Sequence, residues 1–241
     1  MHDPDTDIRR GASTFPSTHW SIVAGARDPA SPDARRSLER LIESYWRPIY
    51  LYVRTVWKST NEDAKDLTQD FLSDLLEGRR LDGYEPERGR FRAYLKGALR
   101  HFLVDRSRGE HRIKRGGDRL RIPWETAVLE ATESAADPER LFDRAWGQSL
   151  LDRALEEVRL SLVSGDREIA WRAFDLYELQ GCDSEKTSYG EVARRLGIPE
   201  QEVKSHLAYV RALAREAVRR HAAETVASEQ DLSLELKELF G

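Results

Sequence analysis

Apolar residues recur in this chain every three to four positions, stretch after stretch, and no segment of any length alternates in the two-residue manner of a strand. That period predicts an all-α fold. From Ala34 to about Trp57 the apolar positions are Leu38, Leu41, Ile42, Tyr45, Ile49, Tyr52 and Val53. Pro48 falls inside that run and is expected to kink or split it. Asn61 is the expected cap of the next helix, with Glu62 and Asp63 in its first turn and Ala64, Leu67, Phe71, Leu75 and Leu76 on one face up to Gly78. Phe91, Tyr94, Leu95, Ala98, Leu99, Phe102 and Leu103 make another amphipathic run. Asp137 and Pro138 open a further helix carrying Phe142, Ala145, Trp146, Leu150 and Leu155, and another surrounds Ile169 to Leu179.

Breakers and composition divide the chain. Residues 1–17 are polar, interrupted by Pro4, Gly11 and Pro16, and read as a disordered lead. A first helical domain is expected over 18–115, a linker over 116–137 beginning at Gly116–Gly117, a second helical domain over 138–222 and an acidic tail over 223–241. Charged residues make up 34 % of the 241, which suits two slender helical domains joined by a linker better than one thick globule.

The sharpest local pattern lies near the C-terminus. Ser188 and Glu191 form a capping box, and Tyr189, Val192, Ala193 and Leu196 follow at helical spacing. Gly197 permits a tight turn, Pro199 suits a helix entrance, and Val203, Leu207, Val210 and Ala214 make the inner face of a second helix. Helix, Gly turn, helix is the layout of a helix-turn-helix, whose second helix enters the major groove. Its outer face offers Glu202, Lys204, Ser205, His206 and Tyr209, continued by Arg211, Arg215 and Arg219 as a basic track for phosphates. An ordinary helical hairpin with solvated charges is the competing reading.

Net charge is only −4, but it is segregated. Between Arg79 and Arg121 fourteen Lys/Arg stand against six Asp/Glu, a net of +8, whereas residues 223–241 carry a net of −4. In the basic segment Arg90, Arg92, Lys96, Arg100, Arg106 and Arg108 sit among Phe91, Tyr94, His101 and Phe102, a mixture that suits unpaired nucleic acid. The alternative there is a solvated face over core aromatics, favoured for Phe102. Asp63, Asp66, Asp70 and Asp74 line one face of their helix. They fit a basic protein partner, a Mg²⁺ site or a plain solvated face, the metal being the weakest reading.

Enzyme chemistry finds little support. There is no G-x-x-x-x-G-K, H-E-x-x-H, C-x-x-C or G-x-S-x-G, and the six histidines are scattered. Cys182 is the single cysteine, so no internal disulfide forms, as suits a reducing cytoplasm. No secretory leader or membrane span is apparent. A cytoplasmic protein without cofactor or metal is expected.

Together these segments resemble the extracytoplasmic-function (ECF) sigma factors, and look closest to the branch abundant in planctomycete-type bacteria. Glu62–Leu76, EDAKDLTQDFLSDLL, looks like the family's second-region helix; the likeness implies that Asp63, Asp66, Gln69, Asp70 and Asp74 face core RNA polymerase. Tyr84–Leu103, YEPERGRFRAYLKGALRHFL, is similar to its promoter-melting helix and preceding loop. The likeness implies that Tyr84, Arg88, Arg90, Arg92, Tyr94, Lys96 and Arg100 engage the melted minus-ten strand. Ser188–Arg220 resembles the fourth-region helix-turn-helix, so Lys204, Ser205, His206, Tyr209, Arg211 and Arg215 would read the minus-thirty-five element. His206 and Tyr209 stand where the family often has basic residues.

The implied partners are core RNA polymerase and promoter DNA, duplex and melted. An anti-sigma protein or another regulator is a further candidate, and no membrane is involved. The implied role is transcription initiation without catalysis. Two other functions remain open: a stand-alone helix-turn-helix regulator, and a metal-dependent nuclease using the Asp63–Asp74 face. The acidic tail, with leucines at near-helical spacing, is expected to mask the basic helices or to bind a regulator.

Overall fold

A computed structural model describes residues 23, 25–26, 32–57, 60–77, 81, 83–113, 137–180 and 187–241. The expectations for residues 1–17, for most of the linker from Gly116 and for Cys182 lie outside them. Among the described residues there are eight α-helices and no strand. They are α1 (Ala34–Trp57), α2 (Asn61–Leu76), α3 (Phe91–Ile113), α4 (Pro138–Ser164), α5 (Glu168–Phe174), α6 (Tyr189–Leu196), α7 (Glu200–Ala223) and α8 (Glu229–Phe240). The all-α expectation holds.

Pro48 neither splits nor ends α1, which runs unbroken through it. A mid-helix proline costs about 3 kcal/mol through its missing N–H and ring clash. Burial of Tyr45, Ile49, Tyr52 and Val53 around it outweighs that cost. The N-cap of α2 is Thr60, not Asn61: the Thr60 hydroxyl accepts from the Asp63 N–H at 3.2 Å. Asn61 is already helical, and its side-chain oxygen accepts from the Tyr50 hydroxyl at 2.6 Å. Asp137 caps α4 as expected, accepting from the Glu139 N–H, with Pro138 in the first turn. The helix around Ile169 is α5, continued over Asp175–Leu179 by a π-helical turn.

Two apolar cores form. The first joins α1, α2 and α3 through Leu41, Tyr45, Ile49, Phe71, Phe91, Leu95 and Leu99, with Val23 and Ala26 against it. The second joins the C-terminal half of α4 to α5, α6 and α7 through Val158, Leu162, Phe174, Val192, Val203, Leu207 and Val210. Helix α4, 27 residues and therefore about 40 Å long, belongs to both. Its buried positions step by four from Phe142 through Trp146, Leu150, Ala154 and Val158 to Leu162. The first three sit in the first core and the last three in the second. Trp146 stacks on Tyr45 of α1, ring centroids 4.2 Å apart and nearly parallel.

The chain end returns to this junction. Ala222 and Ala223 at the end of α7, Val226 and then Leu232 of α8 all enter the first core. Ser228 caps α8 by accepting from the Asp231 N–H at 3.1 Å. Arg153 of α4 ties the same junction in polar fashion, donating to Ser44 of α1 at 2.9 Å and to Glu224 at 3.2 Å.

Candidate nucleic-acid interface

The turn between α6 and α7 is built as its residues dictate. Ser188 caps α6 by accepting from the Glu191 N–H at 3.2 Å. The Glu191 carboxylate turns to Arg195. Gly197 sits at φ +70°, a left-handed conformation that favours glycine, and the Ile198 N–H closes on the Ala193 carbonyl at 3.1 Å. Pro199 precedes α7 and accepts from the Glu202 N–H at 3.0 Å. Val203, Leu207, Val210 and Ala214 are buried, which turns Lys204, Ser205, Tyr209 and Arg215 to solvent and leaves His206 and Arg211 half-buried.

Around this face the side chains support one another. The Lys204 ammonium lies 5.5 Å from the ring centroid of Tyr189, which stacks on Tyr177 at 4.7 Å. Arg211 donates through Nε to Glu178 at 2.9 Å, a bond that raises its pKa. Sequence reasoning missed Arg167. Asp166, at φ +55°, ends the turn after α4, and Arg167 then donates to the Tyr209 hydroxyl at 2.8 Å with its guanidinium 5.3 Å from that ring. A cation is thereby supplied beside Tyr209. Nothing in the sequence signals a pairing across 42 residues.

The structure gathers Arg90, just before α3, with Arg92, Lys96 and Arg100 of α3, and every one of them meets a carboxylate. Arg92 is 3 % exposed. Its Nε donates to Glu235 at 2.6 Å and its Nη2 to Glu235 at 3.1 Å and Glu238 at 2.6 Å, while Nη1 meets Asp143. Arg90 donates to Glu235 at 2.9 Å and Glu238 at 2.5 Å. Lys96 donates to Asp143 at 3.1 Å, and Arg100 meets Glu139. Glu235 is fully buried and also accepts from the Trp146 indole at 3.2 Å. Burial alone would lower the pKa of Arg92, but the hydrogen bonds and charges of Glu235 and Asp143 outweigh it and hold the pKa raised. Hydrogen bonds from Arg90 and Arg92 likewise hold the Glu238 carboxyl below the usual carboxylate range against a smaller effect of burial.

The remaining members of that set lie elsewhere. Tyr84 is buried, its hydroxyl donating to the Gly89 carbonyl at 3.0 Å, so it braces the loop before α3 from within. Tyr94 packs on it with ring centroids 5.3 Å apart. Arg88 is exposed and pairs with Glu85 at 2.7 Å. Phe91 and Phe102 are core residues. The side chain of Arg108 lies outside the described residues.

On α2, burial of Ala64, Leu67, Thr68 and Phe71 turns Asp63, Asp66 and Gln69 outward. Asp70 and Asp74 are half-buried, and Asp70 pairs with Arg106 of α3. Among the described residues no three His, Cys, Asp or Glu side chains come together as metal ligands, and no helix is long and apolar enough to cross a membrane.

A family model described as ECF sigma factor matches residues 58–220, a span that runs from α2 into α7. No curated protein and no solved structure matches the chain.

Proposed function

The chain belongs to the ECF sigma factor family, a non-enzymatic family acting in transcription initiation with RNA polymerase and promoter DNA, and from that premise we propose a division of labour among its helices. In this reading Asp63, Asp66, Gln69, Asp70 and Asp74 of α2 dock on core polymerase. Lys204, Ser205, His206, Tyr209, Arg211 and Arg215 of α7 anchor the minus-thirty-five duplex, with Arg167 reinforcing Tyr209. Arg90, just before α3, and Arg92, Lys96 and Arg100 of α3 take the phosphates of the melted minus-ten strand, and the loop from Tyr84 through Arg88 flanks them.

The single observation that supports this most is the outer face of α7. Its inner residues are buried at helical spacing, and its outer ones present donors and charge to solvent, Lys204 and Ser205 near the start of a helix that follows a tight Gly turn and Tyr209 and Arg215 further along it. That is the arrangement a major-groove reader requires. Duplex anchoring would hold the promoter while strand opening, which costs a few kcal/mol of unstacking per extruded base, is offset by contacts on α3.

The reading is tested with Lys96→Ala plus Arg100→Ala. Arg100 is 48 % exposed and Lys96 15 %, both less enclosed than Arg92, so circular dichroism of the variant should match that of wild type. Permanganate reactivity of promoter thymines should fall in complexes of the variant with core polymerase, while core binding stays unchanged. Unaltered reactivity would remove α3 from strand capture.

A further inference from the structure

The face assigned above to the melted strand is not open in the free chain. Four cations, Arg90 just before α3 and Arg92, Lys96 and Arg100 on it, are matched by four carboxylates: Glu235 and Glu238 from α8, Glu139 and Asp143 from α4. All three guanidinium nitrogens of Arg92 are engaged, four of its five N–H groups donate to carboxylates, and the side chain is buried, which shuts it off from a phosphate. The carboxylates present to α3 what a nucleic-acid strand would present, a row of anionic oxygens at hydrogen-bond distance.

The inference rests on the strand-binding role of α3 proposed above. We propose that α8, together with the acidic edge of α4, is an internal clasp that occupies the strand-binding cations, so that single-stranded DNA and the docked tail exclude one another. Residues 224–228 are all that separate α8 from α7, which keeps the tail at high effective concentration beside its site. The clasp is also built to open. Helix α8 has 12 residues, too few to persist alone in water. Only Leu232 and Glu235 of it are buried, while Leu234 and Phe240 are 45 % and 51 % exposed. Leu236 and Leu239 are only partly buried against the first core, so the hold combines a small apolar contact with the ionic one, and the ionic part is what a strand of phosphates replaces in kind.

The full chain is titrated with a fluorescein-labelled, mixed-sequence single-stranded oligodeoxynucleotide, read by anisotropy. Glu235→Gln/Glu238→Gln should bind about tenfold tighter or more than wild type, because the competent fraction rises. Glu156→Gln/Glu216→Gln makes the same change in net charge at exposed positions away from the clasp and should bind as wild type does. Equal affinity of wild type and the clasp variant, or an equal gain in the charge control, overturns the clasp. Should the clasp variant fail to fold, hydrogen exchange of wild type decides: protection of α8 falls on saturation with the oligonucleotide if the clasp exists, and an unchanged pattern refutes it. Factor-dependent transcription by core polymerase is measured alongside. Tighter strand binding without any transcript keeps the clasp and defeats the initiation role, whereas transcription with no gain in strand affinity does the reverse.

Discussion

One substitution, Gly→Ala, should act with opposite sign at two positions of this chain. Gly197 holds the turn between α6 and α7 at φ +70°, and a Cβ there would meet nothing within 4 Å, so backbone strain alone opposes it. An alanine in left-handed conformation costs about 1–2 kcal/mol. The lower unfolded-state entropy of alanine returns about 0.4–1 kcal/mol. The net loss is about 1 kcal/mol, or a fall of about 2–4 °C in melting temperature for a chain of this size. Gly147 lies inside α4, where a Cβ would make ordinary contact with the Phe240 ring at 3.6 Å. There alanine removes the helix penalty of glycine, a gain of about 0.5–1 kcal/mol. That corresponds to a rise of about 1–4 °C. Thermal unfolding followed by calorimetry reads both. A higher melting temperature for Gly197→Ala, or a lower one for Gly147→Ala, would refute the geometry assigned to the turn or to the α4–α8 contact.

Three further outcomes follow from the same contacts. Arg92→Leu leaves Glu235 buried with only Arg90 and the Trp146 indole for partners, and should cost about 3 kcal/mol in urea unfolding; Arg92→Leu/Glu235→Leu should recover more than half of it, and strict additivity would deny the pairing. Lys204→Ala should weaken binding to a duplex promoter fragment by about 1–3 kcal/mol if it contacts a base, and unchanged affinity at moderate salt would remove that role. Glu224 is half-buried, which alone would raise its pKa, yet His221 and Arg153 hold it lowered. A lowered folded-state carboxyl pKa gives stability that is complete above the unfolded value of about 4.3 and is lost as pH falls through the folded one. The drop in melting temperature below about pH 4 should therefore be smaller in Glu224→Gln than in wild type.

Much of the fold was legible because its signals are local. Ser188 and Asp137 cap helices from their own side chains, and Gly197 stands where only a left-handed residue closes the turn. The departures were local too: Thr60 and Asn61 are adjacent polar residues of similar capping ability, and burial around Pro48 keeps α1 from splitting there, which a single helix period does not weigh. The outward face of α7 was readable from the inward positions Val203, Leu207 and Val210. What the sequence could not disclose is pairing at long range. Arg92 and Glu235 are 143 residues apart, and the expectation that the tail masks the basic helices or binds a regulator named neither residue as the other's partner. Charge segregation hinted at it; only the docking of Leu232 and Trp146 at the junction fixes it.

The measurement that bears most directly on the whole account is transcription in vitro, with purified bacterial core polymerase and this chain, over a library of upstream regions. The account predicts transcripts that depend on the chain, start downstream of a shared pair of promoter elements, and increase when Glu235 and Glu238 are replaced by Gln. A chain that binds duplex DNA but neither associates with core polymerase nor yields any dependent transcript would contradict it.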